Sequence, residues 1–109
     1  MLRFHPFDLF GFMFAGFAVV ASGGAVGARS PEIDSVTKPG TGDYTITLKD
    51  NSFLPFAFPV IATDSAAGEI TFNSSPGEVR VHTYDSVGTP ADRTFHVWIV
   101  KVPSSWIGA

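Results

Sequence analysis

The segment Tyr44-Thr-Ile-Thr-Leu-Lys49 alternates without a break. Tyr44, Ile46 and Leu48 fall on one side and Thr45, Thr47 and Lys49 on the other, which is the pattern of a half-buried strand. Glu78–Tyr84 and Thr94–Val102 alternate in the same way, and Ile33–Thr37, Phe58–Thr63 and Glu69–Asn73 are further β-branched or aromatic runs. Turn residues recur between them: Ser30-Pro31, Lys38-Pro-Gly-Thr-Gly42, Asp50-Asn-Ser52, Ala66-Ala-Gly68, Asn73-Ser-Ser-Pro-Gly77, and the stretch from Asp85 to Asp92. Pro55 and Pro59 lack an amide donor and confine the stretch between them to a sheet edge or a loop. No segment carries a helical period with caps. The pattern predicts an all-β chain: an antiparallel β-sandwich, jelly-roll-like, of roughly seven or eight short strands.

The N-terminal region departs from this rhythm, since Leu9 to Ala28 contains no charged residue. Three structures suit such a run. Its length fits a membrane-spanning helix, but Gly11, Gly16, Gly23, Gly24 and Gly27 all weaken one. A secretory signal would use Arg3 as its basic lead, Leu9–Ala21 as its apolar centre and Val26-Gly-Ala28 as its cleavage site. The third structure is an apolar arm that runs into a hairpin, with Phe17–Ala21 and Ala25–Arg29 flanking Ser22-Gly23-Gly24. This reading is favoured and divides the chain into an arm, residues 1–16, and a β-sandwich domain, residues 17–109. The arm is expected to act as an anchor through Phe7, Phe10, Phe12 and Phe14. An exported or membrane-tethered binding module, with residues 1–28 as signal or anchor, is the alternative.

The last two strands suggest a second contact surface. If Glu78–Tyr84 and Thr94–Val102 pair across the loop between them, Val79, Val81, Phe95, Val97 and Ile99 share a core face. Arg80, His82 and Tyr84 then share the other face with His96, Trp98 and Val100. A symmetric register sets His82 opposite His96 and Arg80 opposite Trp98. Trp, Tyr and Arg are residues that protein interfaces concentrate, so these six positions are expected to form an oligomer interface.

Composition narrows the chemistry. The chain has 109 residues, enough for one domain with its own core, and 45% of them are hydrophobic. Only 16% are charged and eleven are Phe, which is more apolar surface than a small monomer easily hides. The absence of cysteine excludes disulfides, thiolate metal sites and thiol nucleophiles. Ten acids against seven bases give a net charge of −3, with no basic patch for nucleic acid.

His82 and His96 could share a metal with Asp85 or Asp92, but packed or solvated rings on a sheet account for them more simply. Ser74-Ser75 and Ser104-Ser105 sit in turn clusters, and Asp64, Glu69, Glu78, Asp85 and Asp92 lie at strand ends, where solvated acids are ordinary. Gly40 and Gly42 read as a hairpin turn and open no helix, so they make no phosphate cradle. No catalytic residue, metal or cofactor is expected.

Three stretches carry a resemblance: Phe17-Ala-Val-Val-Ala-Ser-Gly-Gly-Ala-Val-Gly-Ala-Arg29, Ser35-Val-Thr-Lys-Pro-Gly-Thr-Gly-Asp-Tyr-Thr-Ile-Thr-Leu48, and Phe95-His-Val-Trp-Ile-Val-Lys101. Together they resemble a group of small virion structural proteins of tailed bacteriophages, over about Phe17 to Val102. Capsid decoration, fibre and tail-knob domains share such motifs. The resemblance implies a β-sandwich assembled as a symmetric homo-oligomer such as a trimer. It also implies attachment to the major capsid or tail protein at the virion surface, with no catalytic residues. Association with a membrane or with nucleic acid is not expected.

Overall fold

A computed structural model describes residues 13–62 and 65–101 of the chain. They form eight antiparallel strands: β1 (Met13–Val20), β2 (Val26–Arg29), β3 (Ile33–Gly40), β4 (Asp43–Leu48), β5 (Phe56–Ile61), β6 (Glu69–Ser75), β7 (Glu78–Tyr84) and β8 (Phe95–Lys101). Two four-stranded sheets, ordered β2-β1-β8-β5 and β3-β4-β7-β6, pack as a β-sandwich. Local hairpins join β1 to β2, β3 to β4 and β6 to β7, while β1–β8, β4–β7 and β5–β8 pair across long stretches of chain.

The first hairpin forms where the glycines predict it. Gly24 adopts a positive φ of 94°, which suits a residue without a Cβ. The turn closes with hydrogen bonds from the Gly24 amide to the Ala21 carbonyl and from the Ala21 amide to the Ala25 carbonyl, both 2.8 Å. Strand β1 runs back to Met13, so the sheet begins inside the stretch assigned to the arm. Within Leu9–Ala28, the described residues are strand and turn rather than a membrane-spanning helix. Phe7, Phe10 and Phe12 lie outside the described residues.

Alternation places the core. Tyr44, Ile46, Val79 and Val81 from one sheet meet Ala18, Val20, Phe95, Val97 and Ile99 from the other, all of them buried. The Tyr44 and Phe95 rings cross edge to face at 5.0 Å. Strand β5 contains Pro59 and lies at a sheet edge, where a missing amide donor is tolerated.

The expected pairing of the last two strands is not formed. β7 hydrogen-bonds to β4 on one side and β6 on the other, so neither of its edges is free for β8. β8 lies in the opposite sheet between β1 and β5. The loop first folds back on the end of β7, through a Tyr84–Pro90 bridge and an Ala91 amide bonded to the Thr83 carbonyl at 3.1 Å. It then crosses to the other sheet. The predicted core residues Val79, Val81, Phe95, Val97 and Ile99 are all inside, because two facing sheets share one interior.

Candidate functional site

The separation of β7 and β8 divides the expected interface in two. Arg80, His82 and Tyr84 point outward from one sheet, and His96, Trp98 and Val100 belong to the outer side of the other. The two trios lie on opposite surfaces of the sandwich. His82 and His96 therefore cannot share a metal ion, and no group of three or more potential metal ligands occurs among the described residues.

The outer side of β1, β8 and β5 is the most unusual surface. Registered across the strands, Phe14, Val100 and Phe56 form one row, Phe17, Trp98 and Phe58 a second, and Val19, His96 and Val60 a third. None of these nine positions holds Asp, Glu, Lys or Arg. Trp98 occupies the centre, 4.6 Å from the Phe17 ring and 5.9 Å from the Phe14 ring, while Phe56 and Phe58 touch at 5.3 Å. Phe56, Phe58, Val60 and Trp98 remain 48, 51, 59 and 51% exposed. Val100 belongs to this face by register yet is itself covered, between Phe14 and Phe56.

Only part of this array is visible in the reading of single segments. The sequence points to Trp98, His96, Val100 and Phe14 as contact residues; it places Phe17, Val19, Phe58 and Val60 only in strands, and Phe56 in neither role. The signal for the last three was present, because Phe56, Phe58 and Val60 alternate with Ala57, which is buried. The prolines at 55 and 59 masked it by arguing against a regular strand.

The outer side of the second sheet is polar. Thr37, Thr45, Arg80 and Asn73 form a row, with Ser35, Thr47, Glu78 and Ser75 beside it. Asp43 binds two neighbours on β7, with Arg80 Nη2 at 3.2 Å and His82 Nε2 at 3.5 Å. These are cross-strand pairs with partly exposed side chains, worth about 0–1 kcal/mol each.

At the end of the sandwich that carries the β1–β2, β3–β4 and β7–β8 connections, two groups tie the loops together. The Tyr44 hydroxyl donates to the Ser22 carbonyl at 2.7 Å and accepts from the Arg93 amide at 3.3 Å, joining the sheets. Burial is the main reason its pKa is raised above 10.0. The Asp92 carboxylate accepts from the Gly42 amide at 2.7 Å and meets Lys38 Nζ at 3.1 Å. The amide bond, followed by Lys38, lowers its pKa. Gly42 has a φ of 63°, and a Cβ there would collide with the Thr83 carbonyl oxygen.

A groove of about 420 Å³ opens at the opposite end. Phe14, Leu48 and Phe53 line it together with Glu32, Lys49 and Lys101, and the Lys101 ammonium sits 5.3 Å from the Phe53 ring centre. Among the described residues, no polar side chain is buried within it to single out a ligand, so the apolar face stands as the candidate site. No protein-family model, curated protein or solved structure matches this chain.

Proposed function

We propose that this chain is a non-enzymatic structural protein of a bacteriophage virion, a β-sandwich that assembles with copies of itself and docks on the capsid or tail as a decoration or accessory protein. The observation that carries the reading is the apolar array on β1, β8 and β5, which nothing among the described residues of one copy covers. Covering four half-exposed side chains is worth roughly 1 kcal/mol each, before the cost of association is subtracted. Phe14, the described member of the expected anchor, lies on this array, so the arm enters the sheet beside the proposed contact. The resemblance of Phe17–Arg29, Ser35–Leu48 and Phe95–Lys101 to small phage virion proteins supports the particle as the setting.

Mass spectrometry of purified virions, with the native mass of the recombinant chain, tests the proposal. An intact chain present in many copies per particle, and oligomeric in solution, is expected. A chain absent from particles and recovered as a monomer without residues 1–28 would overturn it in favour of an exported binding module.

A further inference from the structure

The apolar array has an internal symmetry. Along β1 it reads Phe14, Phe17, Val19, and along β5 it reads Phe56, Phe58, Val60 in the same rows, with Val100, Trp98 and His96 of β8 between them. The two flanking strands thus carry the same residue types at the same heights. We propose that the occupant of this face is a second copy of the chain, packed sheet on sheet about a twofold axis that runs along β8. The proposal rests on the reading of this face as the assembly surface and names its partner.

Rotation about such an axis lays each β8 on the other β8 and each β1 on the other copy's β5. Phe17 then faces the second copy's Phe58, Phe14 faces its Phe56, and Val19 faces its Val60. An isologous contact needs a surface that complements itself, and the matched columns provide one. A twofold contact also sets equivalent charges close together, and the nine positions carry no acidic or basic residue that would repel itself, His96 apart.

Two further observations favour this occupant. β1, β5 and β8 are apolar on both sides, which is the pattern of strands covered on both faces, whereas β4, β6 and β7 are apolar only inward. The exposed halves of Phe56, Phe58, Val60 and Trp98 offer about 100 Å² each. With Phe14, Phe17, Val19 and His96 at the margins, two copies reach roughly the 1,000 Å² that a specific interface requires.

Sedimentation velocity of the full-length chain is expected to show a concentration-dependent dimer. Phe58→Lys should weaken the dimer at least tenfold, while Thr45→Lys on the opposite face leaves it unchanged. The chain has no cysteine, so cross-linking can be read without background. Facing positions 19 and 60 of the two copies lie one sheet spacing apart, about 10 Å, whereas like positions lie about 14 Å apart across the twofold axis. A short bismaleimide added to a mixture of Val19→Cys and Val60→Cys chains should therefore cross-link it more readily than either variant alone, a result that stands even if Phe58→Lys fails to fold.

A monomer at high concentration, a trimer, a dimer indifferent to Phe58→Lys, or a mixture that cross-links no more readily than either variant alone would each overturn the twofold contact. The virion proposal fails separately, if a dimeric chain is missing from purified particles.

Discussion

The two outer faces of this sandwich are built on the same interior and differ in almost everything else. Beneath both lies one apolar core in which Val81 of one sheet and Val97 of the other are equally inaccessible. Above β4 and β7, Asp43, Arg80 and His82 form cross-strand pairs among threonines, and water can solvate each of them. Above β1, β8 and β5, Trp98 is surrounded by phenylalanines, and none of the nine positions holds Asp, Glu, Lys or Arg. Folding requires only the inward side of each strand to be apolar. The outward side is free to be polar, so an apolar outward side on three adjacent strands is a feature that folding alone does not explain. Assembly does.

The comparison can be broken or sharpened by substitution. The largest effect belongs to the shared interior. Phe95→Ala should cost about 3–5 kcal/mol in urea unfolding, since Phe95 is fully buried and packs on Tyr44 from the other sheet. A loss below 1 kcal/mol would mean that the sheets are not sealed against each other there.

Next comes the apolar face. Trp98→Ala removes contacts with Phe14 and Phe17 and should cost about 1–2 kcal/mol, together with self-association. Unchanged stability would show that the aromatic cluster does not hold β1 on β8.

Tyr44→Phe is expected to lose about 1–2 kcal/mol at neutral pH, because its hydroxyl bonds both Ser22 and Arg93 and so joins the two sheets. It also carries a pH signature. The folded pKa is raised above 10.0, so the stabilising contribution is complete below that value. As pH rises past it the unfolded chain ionises first, and stability falls until the folded pKa is reached. Unfolding curves from pH 8 upward should therefore fall more steeply for the native chain than for Tyr44→Phe, and parallel curves would exclude this role.

The polar face should give the smallest response. Asp43→Asn is expected to change stability by less than about 1 kcal/mol, with a difference that shrinks in salt. A loss above 2 kcal/mol would make this trio a structural centre and blunt the contrast between the faces.

Much of this architecture is legible in local pattern. The strict alternation of Tyr44–Lys49 predicts β4 and its inward residues, the Ser22-Gly23-Gly24 turn predicts the first hairpin, and Pro59 predicts an edge position for β5. The candidate site was legible only in fragments. Alternation places His96, Trp98 and Val100 on one side of a strand, as found, but joins to them Arg80, His82 and Tyr84, whose strand lies in the other sheet. Phe56, Phe58 and Val60 do not stand out as contact residues in the sequence, since the prolines around them hide a period of two that the sheet then uses.

The sequence by itself determined most of the strands, the inward side of those that alternate cleanly and where the tightest turns fall. These depend on backbone sterics and on a side-chain period that needs no knowledge of distant residues. Only the tertiary structure decided which strands lie side by side beyond the local hairpins. A connection such as Asp85–Thr94 can close a hairpin or cross the roughly 10 Å between two sheets, and the alternation of the flanking strands is identical either way. Here β4 and β6 occupy both hydrogen-bonding edges of β7, so β8 pairs with β1 and β5 instead, and Phe17, Trp98 and Phe58 meet in one row.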